Sequence, residues 1–165
     1  RHGGWECFDI PFVRAAVVEM AQTHQNIYFL LMNTPPLCDP SPQIIHLPKC
    51  SCLYRKECFI RSCDAMLHAR QGGESFGLAI AEFSVHNKPV LTSSEHHDNH
   101  KARMHLDLLG EKGLYYRDKD SLIRLLVGLD WAEVRRRDWN AYRQFEPQIV
   151  METFRRIFLH GEGAG

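Results

Sequence analysis

The chain has 165 residues, 44% of them hydrophobic, with 20 basic side chains against 20 acidic ones. That length and apolar content suit one α/β domain around a single core, and zero net charge leaves no electrostatic footprint for nucleic acid or an anionic membrane surface. The longest apolar run, Ile27 to Met32, falls far short of the roughly 20 residues that span a bilayer, so no transmembrane segment is predicted and a cytoplasmic setting is expected.

The chain opens at Arg1 without Met, in what reads as the exit of a strand, and a longer polypeptide is expected around it. From Ile10 to His24, Val13, Val17 and Met20 recur at helical spacing beside polar Arg14 and Glu19. Asn26 to Met32 is a dense run that predicts a buried strand. Thr34 to Pro42 holds four prolines and must be a loop. A short strand is predicted at Gln43 to Leu47, a helix from Cys50 to Cys63, and a strand at Asp64 to Ala69. A helix opening near Ser75 runs to Asn87 and Pro89, which end it, and Pro89 to Thr92 is the next strand. Then come a helix around Asn99 to Leu109, a strand at Gly113 to Tyr116, a helix at Lys119 to Leu129, and a helical tail from Trp131 with a break at Pro147. Strands separated by helices predict a Rossmann-like parallel sheet covered on both faces. Ligands bind such sheets beyond the carboxyl ends of the strands, where the loops at Leu47 to Tyr54 and Arg70 to Ser75 would converge.

Six cysteines and ten histidines raise the question of metal. The cysteines, at 7, 38, 50, 52, 58 and 63, contain no Cys-x-x-Cys pair, and buried free thiols are expected. The run His96-His97-Asp98-Asn99-His100 follows a strand end and is read as a polar loop and helix cap, so no metal is expected.

Arg70-Gln71-Gly72-Gly73-Glu74-Ser75-Phe76-Gly77-Leu78-Ala79-Ile80-Ala81-Glu82 is the stretch that carries chemistry. The first N–H groups of a helix have no intrahelical partner and lie at the positive end of the peptide dipoles, so they stabilise a phosphate. Gly72, Gly73 and Gly77 let backbone approach a ligand closely. Eight positions separate Glu74 from Glu82, about 12 Å if the segment is helical throughout, which is the reach from a hexose across a diphosphate to a ribose. An ionised carboxylate accepts two hydrogen bonds at once, which suits vicinal sugar hydroxyls. The segment is therefore read as a site for a nucleoside diphosphate sugar. No Gly-x-Gly-x-x-Gly turn occurs, which argues against a nicotinamide or flavin enzyme.

Glu74-Ser75-Phe76-Gly77-Leu78, Glu82 and Asn87-Lys88-Pro89-Val90 resemble the donor-binding half of GT-B glycosyltransferases, in the large retaining family marked by Glu, seven residues, Glu. The resemblance implies transfer of a hexose from a nucleoside diphosphate sugar to an acceptor hydroxyl with retention of configuration. It implies that Glu74 contacts the transferred sugar and that Glu82 holds the ribose. Backbone from Gly73 to Leu78, through Ser75, Phe76 and Gly77, would line the sugar and diphosphate, and Arg1 would touch the diphosphate. A Lys that the family carries about six positions after that Arg is absent, and Ser93-Ser94-Glu95 stands where the family has a Gly pair. The family also implies a second Rossmann-like domain ahead of this one to bind the acceptor, with residues 131–165 as a helical tail packing toward it. Trp131, Trp139, Phe145, Phe154 and Phe158 would form that docking surface or fold back on this domain's own core.

The ring of Tyr54 would stack on the nucleotide base or pack in the core. Arg70 would assist the phosphates or stay solvated, and His68 at the strand end would be a satisfied strand histidine or a catalytic one. A non-catalytic nucleotide-sugar-binding or interaction module would share the same fold, and neither the acceptor nor the nucleotide is legible.

Overall fold

The computed structural model describes residues 8–94 and 102–159. Arg1, Gly3, Gly4, Cys7 and the run His96 to His100 lie outside the described residues. Pro11 has φ preset near the helical value and no N–H to lose, and it opens α1 (Pro11–Thr23). Val13, Ala16, Val17, Met20 and Ala21 form the buried face of that helix. The chain then forms β1 (Phe29–Met32) and returns parallel as β2 (Ile44–Leu47), with Phe29 opposite Ile44 and Met32 opposite Leu47. Parallel neighbours are usually joined by a helix. Here Pro35, Pro36, Pro40 and Pro42 bar one, and an open loop makes the crossover.

Three helix-strand units follow. They are α2 (Leu53–Ser62) with β3 (Met66–Leu67), α3 (Leu78–Val85) with β4 (Val90–Ser93), and α4 (Met104–Leu109) with β5 (Gly113–Tyr116). β3, β4 and β5 form a parallel sheet in that order, Met66 opposite Val90 and Val90 opposite Gly113. The strand predicted over Asp64 to Ala69 is thus only two residues long in the ladder, although Ala69 makes one further parallel bridge to Phe8. α5 (Lys119–Gly128) starts at Asp118, whose side chain accepts from Ser121 N while the Ser121 hydroxyl accepts from Asp118 N.

Successive strand residues face opposite sides of a sheet, and both sides are covered. Leu31 and Leu91 join Val13, Val17 and Met20 of α1 and Leu122 and Leu126 of α5 in one core. Their neighbours Met32 and Val90 join Phe59 of α2 and Ile80 and Phe83 of α3 in the other. The fold is α/β and Rossmann-like, with parallel strands flanked by helices. No helix among the described residues is long and apolar enough to cross a membrane.

Asn87 ends α3 in the left-handed region, at φ 56°. Its N–H donates to Ser84 O at 2.9 Å and the Lys88 N–H to Phe83 O at 3.0 Å, a Schellman closure with Asn in the place of Gly. Pro89 then bars any continuation.

Beyond α5 the chain differs from one long helix. α6 (Trp131–Val134) is a single turn, a 3-10 turn follows at Arg143–Phe145, and α7 (Pro147–Phe154) runs into a π-type turn at Arg155–Leu159. Asp138 Oδ1 accepts from Asn140 N and Asn140 Oδ1 from Tyr142 N, so side chains take the backbone N–H groups that a helix needs. Pro147 stands at the start of α7, where proline is favoured, and opens a helix that the sequence suggested it would break. The five cysteines among the described residues are free thiols, yet none is buried, and Cys52 and Cys58 are exposed. The expectation of burial is corrected there: Cys52 precedes α2 and Cys58 lies on its exposed side while Phe59 and Ile60 fill the core, and Cys38, Cys50 and Cys63 are half-buried at the margins of the two cores.

Candidate functional site

The loop from His68 to Gly77 leaves the carboxyl end of β3 and is held from three sides. His68 is buried, and its N–H donates to Leu91 O at 2.8 Å, while Tyr116 Oη donates to His68 O at 2.5 Å. The His68 ring lies 2.8 Å from Thr92 Oγ1 through Nδ1 and 3.6 Å from Glu74 Oε1 through Nε2. Arg70 Nη1 donates to Glu74 Oε2 at 2.9 Å. His105 of α4 packs edge-on against His68 at 5.1 Å, with its Nδ1 3.2 Å from both the N and the O of Glu74. Glu74 is therefore fixed through its backbone and through both carboxylate oxygens.

Burial acts to raise the Glu74 carboxyl, but the nearby His68 ring and the charge of Arg70 outweigh it and hold the group at about 2. Glu74 is thus an anion across the physiological range. The folded value lies below the ordinary 4.5, so the unfolded chain binds more protons between those limits. The stability that Glu74 contributes is full above pH about 4.5 and is lost as pH falls toward about 2. Subtracting the urea-unfolding free energies of Glu74→Gln from those of the unsubstituted chain should give a difference that falls steadily through this window. A flat difference would show that the partners do not hold the anion.

Gly73 is buried with φ 61°, and Gly77 caps α3 with φ 77° and ψ 66°. A Cβ at Gly77 would sit 3.0 Å from Ile80 Cδ1 in a conformation that L side chains rarely adopt. Gly77→Ala should destabilise the chain by about 1–2 kcal/mol by urea titration, from the left-handed backbone alone. Among the described residues no side chain caps α3, and no acid stands in its first turn, which leaves its leading amides without a protein anion there. Ser75 and Leu78 are exposed beside them, and Phe76 packs edge-on against Tyr142 at 5.2 Å and Phe145 at 4.9 Å. Tyr142, fully buried, donates its hydroxyl to Phe76 O at 2.6 Å. Burial, and then the Glu74 charge, push the Tyr142 phenol up, so it remains a donor.

The helix expected to open near Ser75 begins at Leu78. Glu74 belongs to the loop, Gly77 takes the left-handed turn that a helix cannot contain, and the distance argument from an unbroken helix does not apply. Glu82 lies one turn into α3 on the face of Leu78, and is ion-paired to Lys56 of α2. Tyr54 is 74% exposed, which excludes the core-packing alternative. It stands two positions from Lys56, so the two lie on different sides of α2. The structure thus gathers Gly73, Glu74, Ser75, Phe76 and Gly77 in one loop that leads into Leu78 at the start of α3, with Glu82 a turn below and Tyr54 on a separate helix.

Lys56, His105 and Tyr142 lay outside the sequence reading. Their contacts to the site cross 26 to 66 residues of sequence, and nothing in the local pattern of any of them marks it. Asp118-Lys119-Asp120, the one pair of aspartates at Asp-x-Asp spacing, is used for the start of α5 through Asp118. Among the described residues no cluster of three or more His, Cys, Asp or Glu is placed to hold a metal ion. A cavity of about 610 Å³ opens between β1 and β3, lined by Asn26 to Leu31 and Asp64 to Leu67, and no residue of the Glu74 loop lines it.

No protein-family model matches the chain, and no curated protein matches it in sequence. Solved structures do. The Anabaena protein Alr3699/HepE in complex with UDP-glucose superposes with a TM-score of 0.64 over 96% of this chain and 46% of that one, at 13% identity. The chain has the fold of one half of HepE. A second HepE structure, with UDP and glucose, gives a TM-score of 0.62 at 13% identity, over 91% of this chain and 44% of HepE. The chain therefore spans less than half the length of HepE, and at this identity the likeness is one of fold.

Proposed function

We propose that the chain is the donor-binding domain of a GT-B glycosyltransferase that takes a hexose from a nucleoside diphosphate sugar, UDP-glucose or a close relative, and retains the anomeric configuration. The observation that carries the reading is Glu74, an anion fixed beside the uncapped amides of α3. A carboxylate oxygen can accept more than one hydrogen bond, and in this reading Glu74 accepts from sugar hydroxyls. The diphosphate then faces the amides of Gly77 and Leu78, with Gly73, Ser75 and Phe76 shaping the loop. Glu82 takes the ribose, Tyr54 offers a ring to the base, and Arg1 supplies a cation to the diphosphate.

Bond breaking between the anomeric carbon and the diphosphate places negative charge on the leaving group and positive charge on the sugar ring. Amides already aimed at the diphosphate stabilise the first without reorganising, and Glu74 orients the second. The reading invokes no metal and no cofactor beyond the donor, and it places the reaction in the cytoplasm.

The acceptor would bind a second Rossmann-like domain. Val150, Met151, Phe154 and Phe158 on α7 and the turn after it are exposed, with the rings of Phe154 and Phe158 stacked at 5.0 Å, and they offer that domain an apolar face. Trp139 takes no part in it. It is buried, its indole N–H donates to Val134 O at 2.7 Å, and Ser84 and Asn87 tie its backbone to α3. Phe145 is likewise engaged with Phe76 and Tyr142.

A non-catalytic nucleotide-sugar-binding module would share this site and needs the same donor contacts. Calorimetric titration with a panel of nucleoside diphosphates and their sugars tests the binding that both require. Binding of UDP, strengthened by an attached hexose, is expected. A chain that binds no nucleotide of the panel contradicts both readings, and release of hexose from the bound donor to water or an added hydroxyl separates catalyst from module.

A further inference from the structure

Lys56 stands near the start of α2, where the aligned peptide dipoles disfavour a cation and where the first turn holds no acid. Its ammonium reaches across to Glu82 Oε1 on α3, and the two side chains keep 24% and 36% of their surface exposed. Among the described residues Glu82 Oε2 makes no hydrogen bond, so that oxygen retains both lone pairs. An exposed ion pair of this kind is a weak source of stability. Its geometric effect is larger: one oxygen is tethered and the other is turned to a defined direction.

We propose that Lys56 is a positioning residue for the Glu82 carboxylate. By holding Oε1 it fixes the rotamer of Glu82 and presents Oε2 to the vicinal hydroxyls of a nucleotide's ribose, so that the site distinguishes ribonucleotide from deoxyribonucleotide. The proposal rests on the assignment of Glu82 to the ribose made above. A carboxylate that samples several rotamers loses entropy on binding a diol, whereas a tethered one has lost it already. Neutralisation by Lys56 also keeps Glu82 from repelling the diphosphate that follows the ribose.

The test is calorimetric titration of the 165-residue chain with UDP and with 2′-deoxy-UDP, alongside the variants Lys56→Met, Lys56→Gln, Lys56→Arg and Glu82→Gln. The unsubstituted chain should prefer UDP by roughly tenfold, the worth of one charge-assisted hydrogen bond. Glu82→Gln, Lys56→Met and Lys56→Gln should each reduce that ratio to within about twofold of unity, while Lys56→Arg, which keeps the charge, retains it. A purely structural tie between α2 and α3 would lower the melting temperature of the Lys56 variants and weaken both nucleotides alike, leaving the ratio intact. If Glu82→Gln abolishes the preference and Lys56→Met and Lys56→Gln keep or enlarge it, the proposal is overturned and the ribose assignment stands. If Glu82→Gln keeps the preference, or the unsubstituted chain shows none, the ribose assignment itself fails. Absence of UDP binding overturns the proposal together with the donor-site reading.

Discussion

Glu74→Gln is expected to abolish the preference of the chain for UDP-glucose over UDP, a loss of roughly 10- to 100-fold in relative affinity, while UDP itself binds within about threefold of the unsubstituted protein. The substitution keeps the shape of the side chain and removes the anion. Arg70 and His68, which now meet a carboxylate at 2.9 Å and 3.6 Å, would meet an amide instead. Sugar hydroxyls would then lose a charged acceptor, and a charge-assisted bond is about twice as strong as a neutral one. UDP should be spared because its diphosphate faces the amides of α3, which the substitution does not touch. Competition calorimetry with the two ligands reads the ratio directly. An unchanged ratio would remove Glu74 from the sugar subsite, and an equal loss of both ligands would assign it a role in shaping the loop alone.

Tyr142→Ala should be the most destabilising single change near the site, at about 3–5 kcal/mol by urea denaturation. Tyr142 is fully buried, and its ring lies 5.2 Å from Phe76 and 5.9 Å from Phe145. Removing it opens a cavity between α3 and the tail and leaves Phe76 O without its donor. Tyr142→Phe separates the two contributions. It keeps the ring and deletes only the bond at 2.6 Å, and should cost about 1–2 kcal/mol. Both variants should also weaken UDP-glucose more than an equally destabilising change remote from the site, such as Leu122→Ala in the opposite core, because the Phe76 carbonyl and the Gly77 turn are one rigid unit. If Tyr142→Phe is neutral in both measurements, the tail does not brace the donor loop.

Much of this architecture is local and was legible for that reason. The helical spacing of Val13, Val17 and Met20, the proline-rich loop, and the strand at Gly113–Tyr116 depend on neighbours within a few residues. The end of α3 was legible as well, since Asn87 and Pro89 act on their own backbone. The start of α3 was not. Whether Glu74 to Gly77 continues a helix depends on the left-handed turn at Gly77 and on Tyr142 holding Phe76 O, and Tyr142 is 66 residues away. The same distance hid the network around the acids. His105 and Lys56 approach Glu74 and Glu82 only once α4 and α2 are in place. The tail shows the opposite case, where composition suggested helix from Trp131 onward and short polar side chains at Asp138 and Asn140 captured the backbone instead.

A crystal structure of the chain soaked with UDP-glucose tests the central claim most directly. The account predicts hexose hydroxyls within hydrogen-bond distance of the Glu74 carboxylate, the diphosphate against the amides of Gly77 and Leu78, and the ribose on Glu82. Donor density in the cavity between β1 and β3, or a bound sugar whose hydroxyls do not reach the Glu74 carboxylate, would contradict it.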